Sequence, residues 1–240
     1  MEAGRLDKLL CNMALCSRSD ARDSIRSGRV TVNGAVEKDC GRRLTGDETI
    51  CLDGRVLSGG GARYIMLNKP AGVVSSTSDR DRTVLSLLPE DEGRGLFPVG
   101  RLDKDVTGLI ILTDDGDFCH RATSPRHHVS KIYEAAACRP LDESDVSAFA
   151  SGLTLGDGTV CRPAVLTVDD EDSRRCTVEI SEGMYHQVKR MFAARGKPLE
   201  SLRRIAMGGL ALDESLGEGE WRSLTPEEVE AVFTQITTKE

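Results

Sequence analysis

No apolar run in the sequence approaches the roughly 20 residues that a membrane-spanning helix needs. The first ten residues, "MEAGRLDKLL", lack the basic and then apolar layout of a secretory leader. Both absences point to a cytoplasmic protein with no membrane role. Eight cysteines are present, at 11, 16, 40, 51, 119, 138, 161 and 176, and no pair has C-x-x-C spacing. That scatter reads as reduced thiols, several of them buried, and not as a zinc site or a disulfide framework. There is no Walker loop, no G-x-G-x-x-G and no H-E-x-x-H, so nucleotide-binding and zinc-protease chemistries have no support. A positive excess is missing too: the net charge is −7. As an average this argues against a nucleic-acid partner, but residues 1–62 hold 10 basic and 9 acidic side chains, and residues 63–240 hold 22 and 30. Local patches, not the average, must decide the partner.

The chain has 240 residues and is 39% hydrophobic, enough for one large domain or two smaller ones with packed cores. Three consecutive glycines in "LSGGGARY" (57–64) read as a linker. They divide the chain into a module at 1–59 and a larger domain at 60–240. In the first module Leu6, Leu9, Leu10 and Met13 recur at helical spacing. Ser17 reads as the N-cap of a second helix over about 18–27. That helix stacks Arg18, Arg22 and Arg26 on one face, with Arg29 just beyond. Asn33-Gly34 and Asp53-Gly54 mark two hairpins. The arginine stripe is open to two readings at this stage: a solvated face paired with Asp20 and Asp23, or a track for a phosphate backbone.

Beyond the linker, "RYIMLNKPAGVVSS" reads as a strand, a turn and a second strand, and "TVLSLLP" as a short helix. "LIILT" is an apolar strand buried on both faces; "KIYEAAAC" and "RCTVEI" alternate as strands. "HQVKRMFAAR" is an amphipathic helix stopping at Gly196, and "TPEEVEAVF" opens with a cap and a proline. Strands and helices mix without a regular βαβ repeat. In "GRLDKDVTG" two glycines bracket a loop before the buried strand. Arg101 and Asp103 are two apart and share one face of an extended backbone. A carboxylate beside a cation could be a nucleophile or a base, or simply a turn residue accepting backbone hydrogen bonds. Spacing does not separate Asp103 from Asp105, whereas Asp114, Asp115 and Asp117 fit a polar turn.

"RLDKLL", "SRSDA", "SGRVTVNG" and "TGDETICLDG" resemble the S4 RNA-binding domain over nearly all of residues 4–57. The resemblance implies RNA contacts for Arg18, Arg22, Arg26 and Arg29, with Arg5 and Lys8 beside them. "KPAGVVSS", "PVGRLDKDVTGLIILTDDGDFCHRATSPRHHVSKIYEA" and "ISEGMYHQVKRMFAARGKPLESLRRIAMGGLAL" resemble the S4-containing pseudouridine synthases of the ribosomal small-subunit type, the RsuA family. That likeness spans about residues 4–231. It implies an α+β fold: a small N-terminal S4 (α-L) domain and a catalytic domain built on a mixed, mainly antiparallel β-sheet.

The implied reaction breaks the uracil N1–ribose bond, turns the base and rejoins it through C5. Nothing is added or lost, so no cofactor is needed, and the family binds no metal. Asp103 is then the essential carboxylate. Tyr133 is the active-site tyrosine that stacks on the uracil and helps to move a proton. Lys189 is the basic residue paired with Asp103. Arg101 fills the gap left by the extracted nucleotide, and Arg190 contacts RNA. "RATSPRHHVSK" (Arg121, Arg126, His127, His128, Lys131) and "KRMFAARGKPLESLRR" line an RNA groove. Met184 departs from the family, whose close members usually carry arginine there.

The implied partner is small-subunit ribosomal RNA or a ribosomal assembly intermediate, with uridine 516 the target and the enzyme a monomer. The alternatives are a large-subunit RNA synthase of the same family, or a non-catalytic S4-type protein that binds ribosomal RNA or assists assembly.

Overall fold

The computed structural model describes residues 4–14, 16–46, 48–57 and 62–234. The core of the expected linker, 58–61, lies outside them. The chain divides into two compact units: Met1–Arg63 with Glu90–Leu96, and Tyr64–Pro89 with Phe97–Glu240.

The first unit runs β1 (Gly4–Arg5), α1 (Leu6–Ala14), α2 (Arg18–Arg26), β2 (Val30–Val32), β3 (Ala35–Val36), β4 (Arg43–Leu44), β5 (Ile50–Leu52) and β6 (Arg55–Val56). Ser17 caps α2 through a capping box with Asp20, so two otherwise orphaned backbone donors are satisfied. Leu6, Leu9 and Leu10 of α1 and Ala21 and Ile25 of α2 are buried together against Val30, Val32, Leu44 and Ile50. The order β3-β2-β5-β6 is antiparallel throughout. Both expected hairpins form, with positive φ at Asn33, Gly34, Asp53 and Gly54, as the right-handed twist of the strands requires.

The second unit holds β7 (Tyr64–Lys69), β8 (Phe97–Pro98), β9 (Thr107–Thr113), β10 (Lys131–Ala137), β11 (Val165–Val168), β12 (Arg175–Ile180), β13 (Leu199–Met207), β14 (Leu210–Ala211) and β15 (Trp221–Ser223). With the short α3 (Glu90–Gly93) of the first unit counted in chain order, its helices are α4 (Gly116–Thr123), α5 (Glu143–Ser151), α6 (Gln187–Ala194) and α7 (Pro226–Ala231). The sheet runs β11-β12-β10-β13-β9-β7-β15, with β14 on β13 and β8 on β9. Only the β9–β13 pairing is parallel. Leu109 to Leu112 of β9 are fully buried, which is why that run is apolar on both faces. Phe192 of α6 meets Phe149 of α5 edge to face at 5.0 Å, and Gly196 (φ +69) lies just past the end of α6.

Two expectations fail locally. After the Lys-Pro-Ala-Gly turn no second strand forms: Val74 makes an isolated bridge to Thr83. "TVLSLLP" gives a single 3-10 turn, Val84–Leu87. The reason is where the polar groups go. Gly72 N–H donates to the Lys104 carbonyl (2.7 Å), and the Ser75 hydroxyl bonds both the N–H and the carbonyl of Leu102. A segment satisfied by a loop need not join the sheet ladder.

Gly108 shows how tightly that loop enters β9. Its φ is +96°, and a Cβ there would lie 2.2 Å from the Arg204 carbonyl oxygen. Neither contact nor conformation tolerates a side chain. Gly108→Ala is therefore expected to cost about 3 kcal/mol and lower Tm by roughly 6–12 °C in thermal unfolding. An unchanged Tm would contradict the close approach.

Candidate active site

The loop from Gly100 to Val106 is gripped from below by Lys69, the last residue of β7. Its side chain is fully buried, and its ammonium donates to the carbonyls of Pro70 (3.0 Å), Lys104 (3.3 Å) and Val106 (2.6 Å). Burial pulls its pKa down to about 8, so it still carries its proton at neutral pH. Within the loop Val106 N–H closes a turn onto the Asp103 carbonyl. The backbone of Asp103 is thus fixed by Ser75, Gly72 and Lys69 together.

The Asp103 carboxylate meets two cation-capable groups from the start of α6. His186 Nε2 lies 3.2 Å from Oδ1, and Lys189 Nζ lies 3.2 Å from Oδ2. His186 and Lys189 are three apart, which puts both side chains on one side of the helix start. Lys189 also donates to Asp105 at 2.6 Å. Burial opposes the charge on Lys189, but the two carboxylates outweigh it and raise its pKa. The Lys189 bond in turn lowers the pKa of Asp105. His186 is held at φ +49°, an uncommon conformation for a non-glycine residue that carries stored strain. The Gln187 side chain accepts from Met184 N–H and donates to Glu182, fixing the approach to the helix.

Asp103, Lys189 and His186 line a cavity with Arg101, Tyr133 and Arg204. Tyr133 of β10 is buried and pairs in register with Arg204 of β13. Val188, Leu202, Ile180 and Met207 supply apolar wall. The arrangement offers an ionised carboxylate, a phenol and a mostly apolar slot, the parts that nucleophilic or base chemistry on a small planar ring would use.

The structure thus brings Asp103, Tyr133, Lys189 and Arg101 together. Arg101 is exposed and makes no hydrogen bond or ion pair with any described residue. Arg190 turns away, to Asp157 (2.6 Å) and the Tyr185 carbonyl. Arg126 is exposed. Two expected groove residues are not at the surface: Lys131 and Arg204 are buried. Arg195 and Lys197 are tied to Asp145, and Lys197 also to Asp142. In the first unit the arginines pair with Asp7 and Asp53, not with Asp20 and Asp23. Arg5 and Arg22 hydrogen-bond the fully buried Asp7, with Arg18 at 4.0 Å. Arg29 is paired with Asp53. Arg26 is exposed with no such partner among the described residues. His186 and Lys69 were not singled out from the sequence. The three-residue spacing of His186 from Lys189 was the available signal for the first; nothing local marks Lys69 as buried.

Residues 63–194 match the RNA pseudouridylate synthase family, and residues 4–50 match the S4 domain. The chain belongs to the pseudouridine synthase family. It is 44% identical over 95% of its length to the ribosomal small subunit pseudouridine synthase A of Escherichia coli (strain K12), covering 99% of that protein. It is 42% identical, again over 95% of its length, to the protein of the same description from Vibrio vulnificus (strain CMCP6), also covering 99% of it. Among solved structures, a pseudouridylate synthase crystal structure superposes with a TM-score of 0.69 at 40% identity, over 95% of this chain and 99% of that one. The α+β fold with an S4 domain and the isomerase class follow from this membership.

Removing the Lys69 ammonium tests the grip on the loop. In Lys69→Met three carbonyls lose their donor, so kcat for pseudouridine formation should fall at least about tenfold. The folded pKa near 8 lies below the ordinary 10.5. The cost of burying the charge is therefore felt in full below pH 8 and is relieved as pH rises toward 10.5. Across that window the Tm difference between wild type and variant should move in favour of the wild type. A pH-independent difference in thermal melts would contradict this.

Proposed function

We propose that this pseudouridine synthase isomerises one uridine of small-subunit ribosomal RNA, with uridine 516 the expected target. Asp103 is its nucleophile. The observation that carries the chemical part is the Asp103 carboxylate, held between His186 and Lys189 in a cavity shared with Tyr133. The substrate follows from the relatives, which are small-subunit synthases matched along nearly their whole length. The protein works as a monomer in the cytoplasm, on the RNA or on an assembly intermediate.

In this reading the target uridine leaves its stack and enters the cavity, at a cost of a few kcal/mol. Arg101, exposed and unpaired, occupies the vacated place. Asp103 attacks the ribose C1′ as the C1′–N1 bond breaks, and uracil departs with its negative charge spread over N1, O2 and O4. The base turns, C5 displaces the carboxylate from C1′, and the C5 proton is removed while N1 gains one. Tyr133 stacks on the ring and assists that proton transfer. Two steps through a covalent intermediate replace one hard step, and the atoms balance without a cofactor. A non-catalytic RNA-binding protein has no use for a carboxylate held in this way.

In a strain lacking the gene, one small-subunit pseudouridine should disappear on mapping of its ribosomal RNA, and Asp103→Asn should fail to restore it. The purified variant should lose at least about 10³-fold in kcat while binding RNA within a few-fold of wild type. Loss of a large-subunit site instead would move the substrate, and activity in Asp103→Asn would remove Asp103 from the chemistry.

The S4 arginines divide by their partners. Arg26→Ala should weaken RNA binding, reduce the salt slope of log Kd by about one and leave Tm unchanged. Arg22→Ala should lower Tm, because the buried Asp7 carboxylate loses a donor worth roughly 1–3 kcal/mol. Equal effects of the two variants on Tm and on the salt slope would contradict this division.

A further inference from the structure

Only nine aromatic residues occur in the whole chain, and one of them, Tyr185, is 73% exposed. It is not a stray surface ring. It stacks on His186 with centroids 3.8 Å apart and planes 18° from parallel, and its carbonyl is held by Arg190. His186 is the residue that pairs with Asp103. Tyr185 and His186 form one wall of an open groove whose other side is the Val74–Thr77 segment, with Arg101 between them. That groove and the Asp103 cavity share Gly100, Arg101, Leu102, Asp103, Thr123 and His186. The groove is therefore the continuation of the cavity along the surface.

We propose that Tyr185, backed by His186, is a stacking platform for the base of a nucleotide next to the target uridine. The inference rests on the RNA-modifying reading above. A polynucleotide whose uridine sits beside Asp103 must pass its neighbours through the adjoining space. The first flat apolar surface it meets there is the free face of Tyr185. Parallel stacking on an aromatic ring suits any base and needs no hydrogen-bond readout. The hydroxyls of Ser76 and Thr77 and the unpaired Arg101 guanidinium supply polar partners for the sugar and phosphate that accompany that base. The pre-stacked His186 ring fixes the tyrosine plane before RNA arrives, so less side-chain freedom is lost on binding. Tyr185 is a positioning residue: it touches a neighbouring base, not the reacting atoms.

The test uses the full chain and short small-subunit RNA fragments containing the target uridine. One series is intact, and others lack the base at one flanking position at a time. Tyr185→Ala should raise KM by roughly 5- to 150-fold with kcat within about threefold, and Tyr185→Phe should restore KM. Removing the base at one flanking position should impose a similar penalty on the wild type and add little to Tyr185→Ala, as expected of two partners in one contact. An unchanged KM in Tyr185→Ala, failure of Tyr185→Phe to rescue, or full additivity at every flanking position would each overturn the platform. Turnover of the intact fragment by the unsubstituted enzyme tests the underlying reading separately. If it is absent, that reading falls, and fluorescence anisotropy of the same fragments decides the platform alone, equal affinity of wild type and Tyr185→Ala overturning it.

Discussion

Everything the site can do depends on one buried ammonium. Lys69 spends its three N–H bonds on the carbonyls of Pro70, Lys104 and Val106, and two of these belong to the loop that carries Asp103 and Asp105. A side-chain carboxylate is placed no better than its backbone. The loop has no strand partner until Gly108, so without this grip its carbonyls would need other donors. A charged group can be buried here because every proton it carries is accepted. The Lys-Pro-Ala-Gly turn that follows returns to the same loop through Gly72 and Ser75, so one short segment holds it at three depths.

The second constraint is the balance of charge around Asp103. Two carboxylates, Asp103 and Asp105, face Lys189, with Lys69 beneath and His186 beside Asp103. With His186 neutral the four remaining charges cancel. Lys189 therefore keeps both acids ionised without leaving a net charge in a half-enclosed site. Sharing the lysine also weakens its hold on Asp103, because its shorter bond goes to Asp105. A carboxylate clamped fully by a cation would be a poorer nucleophile than one held at 3.2 Å by two partial partners.

The sequence made much of this legible, and for clear reasons. Helix caps, the two Asx-Gly hairpins and the apolar β9 run are local signals, and the structure follows them at Ser17, Asn33, Asp53 and Leu109–Leu112. Asp103 and Asp105 could not be separated by spacing; resemblance to a family chose Asp103. The geometry brings Asp103 against His186 and leaves Asp105 more exposed, paired to Lys189 alone. What the sequence hid was burial of charge. "KRMFAARGKPLESLRR" reads as a basic stripe, yet Arg204 is inside the sheet and Arg195 and Lys197 are neutralised by Asp145 from a distant helix. Lys69 looks like any turn lysine until the fold places three carbonyls around it. Partners 50 to 150 residues away leave no periodic trace.

Those long-range pairs also account for a nucleic-acid-modifying chain with a net charge of −7. Carboxylates such as Asp7, Asp145 and Asp213 are spent inside the molecule, each tying down one or more cations. They set the formal charge but project little field, because an ion pair a few ångströms across falls off rapidly into solvent. The field an approaching polyanion meets comes from the cations left over, Arg101 beside the cavity and Arg26 on α2. Few free cations give a weaker electrostatic hold on RNA than a basic patch would. Contacts that do not depend on charge must then carry a larger share of recognition, which gives an exposed ring beside the reactive carboxylate its physical purpose.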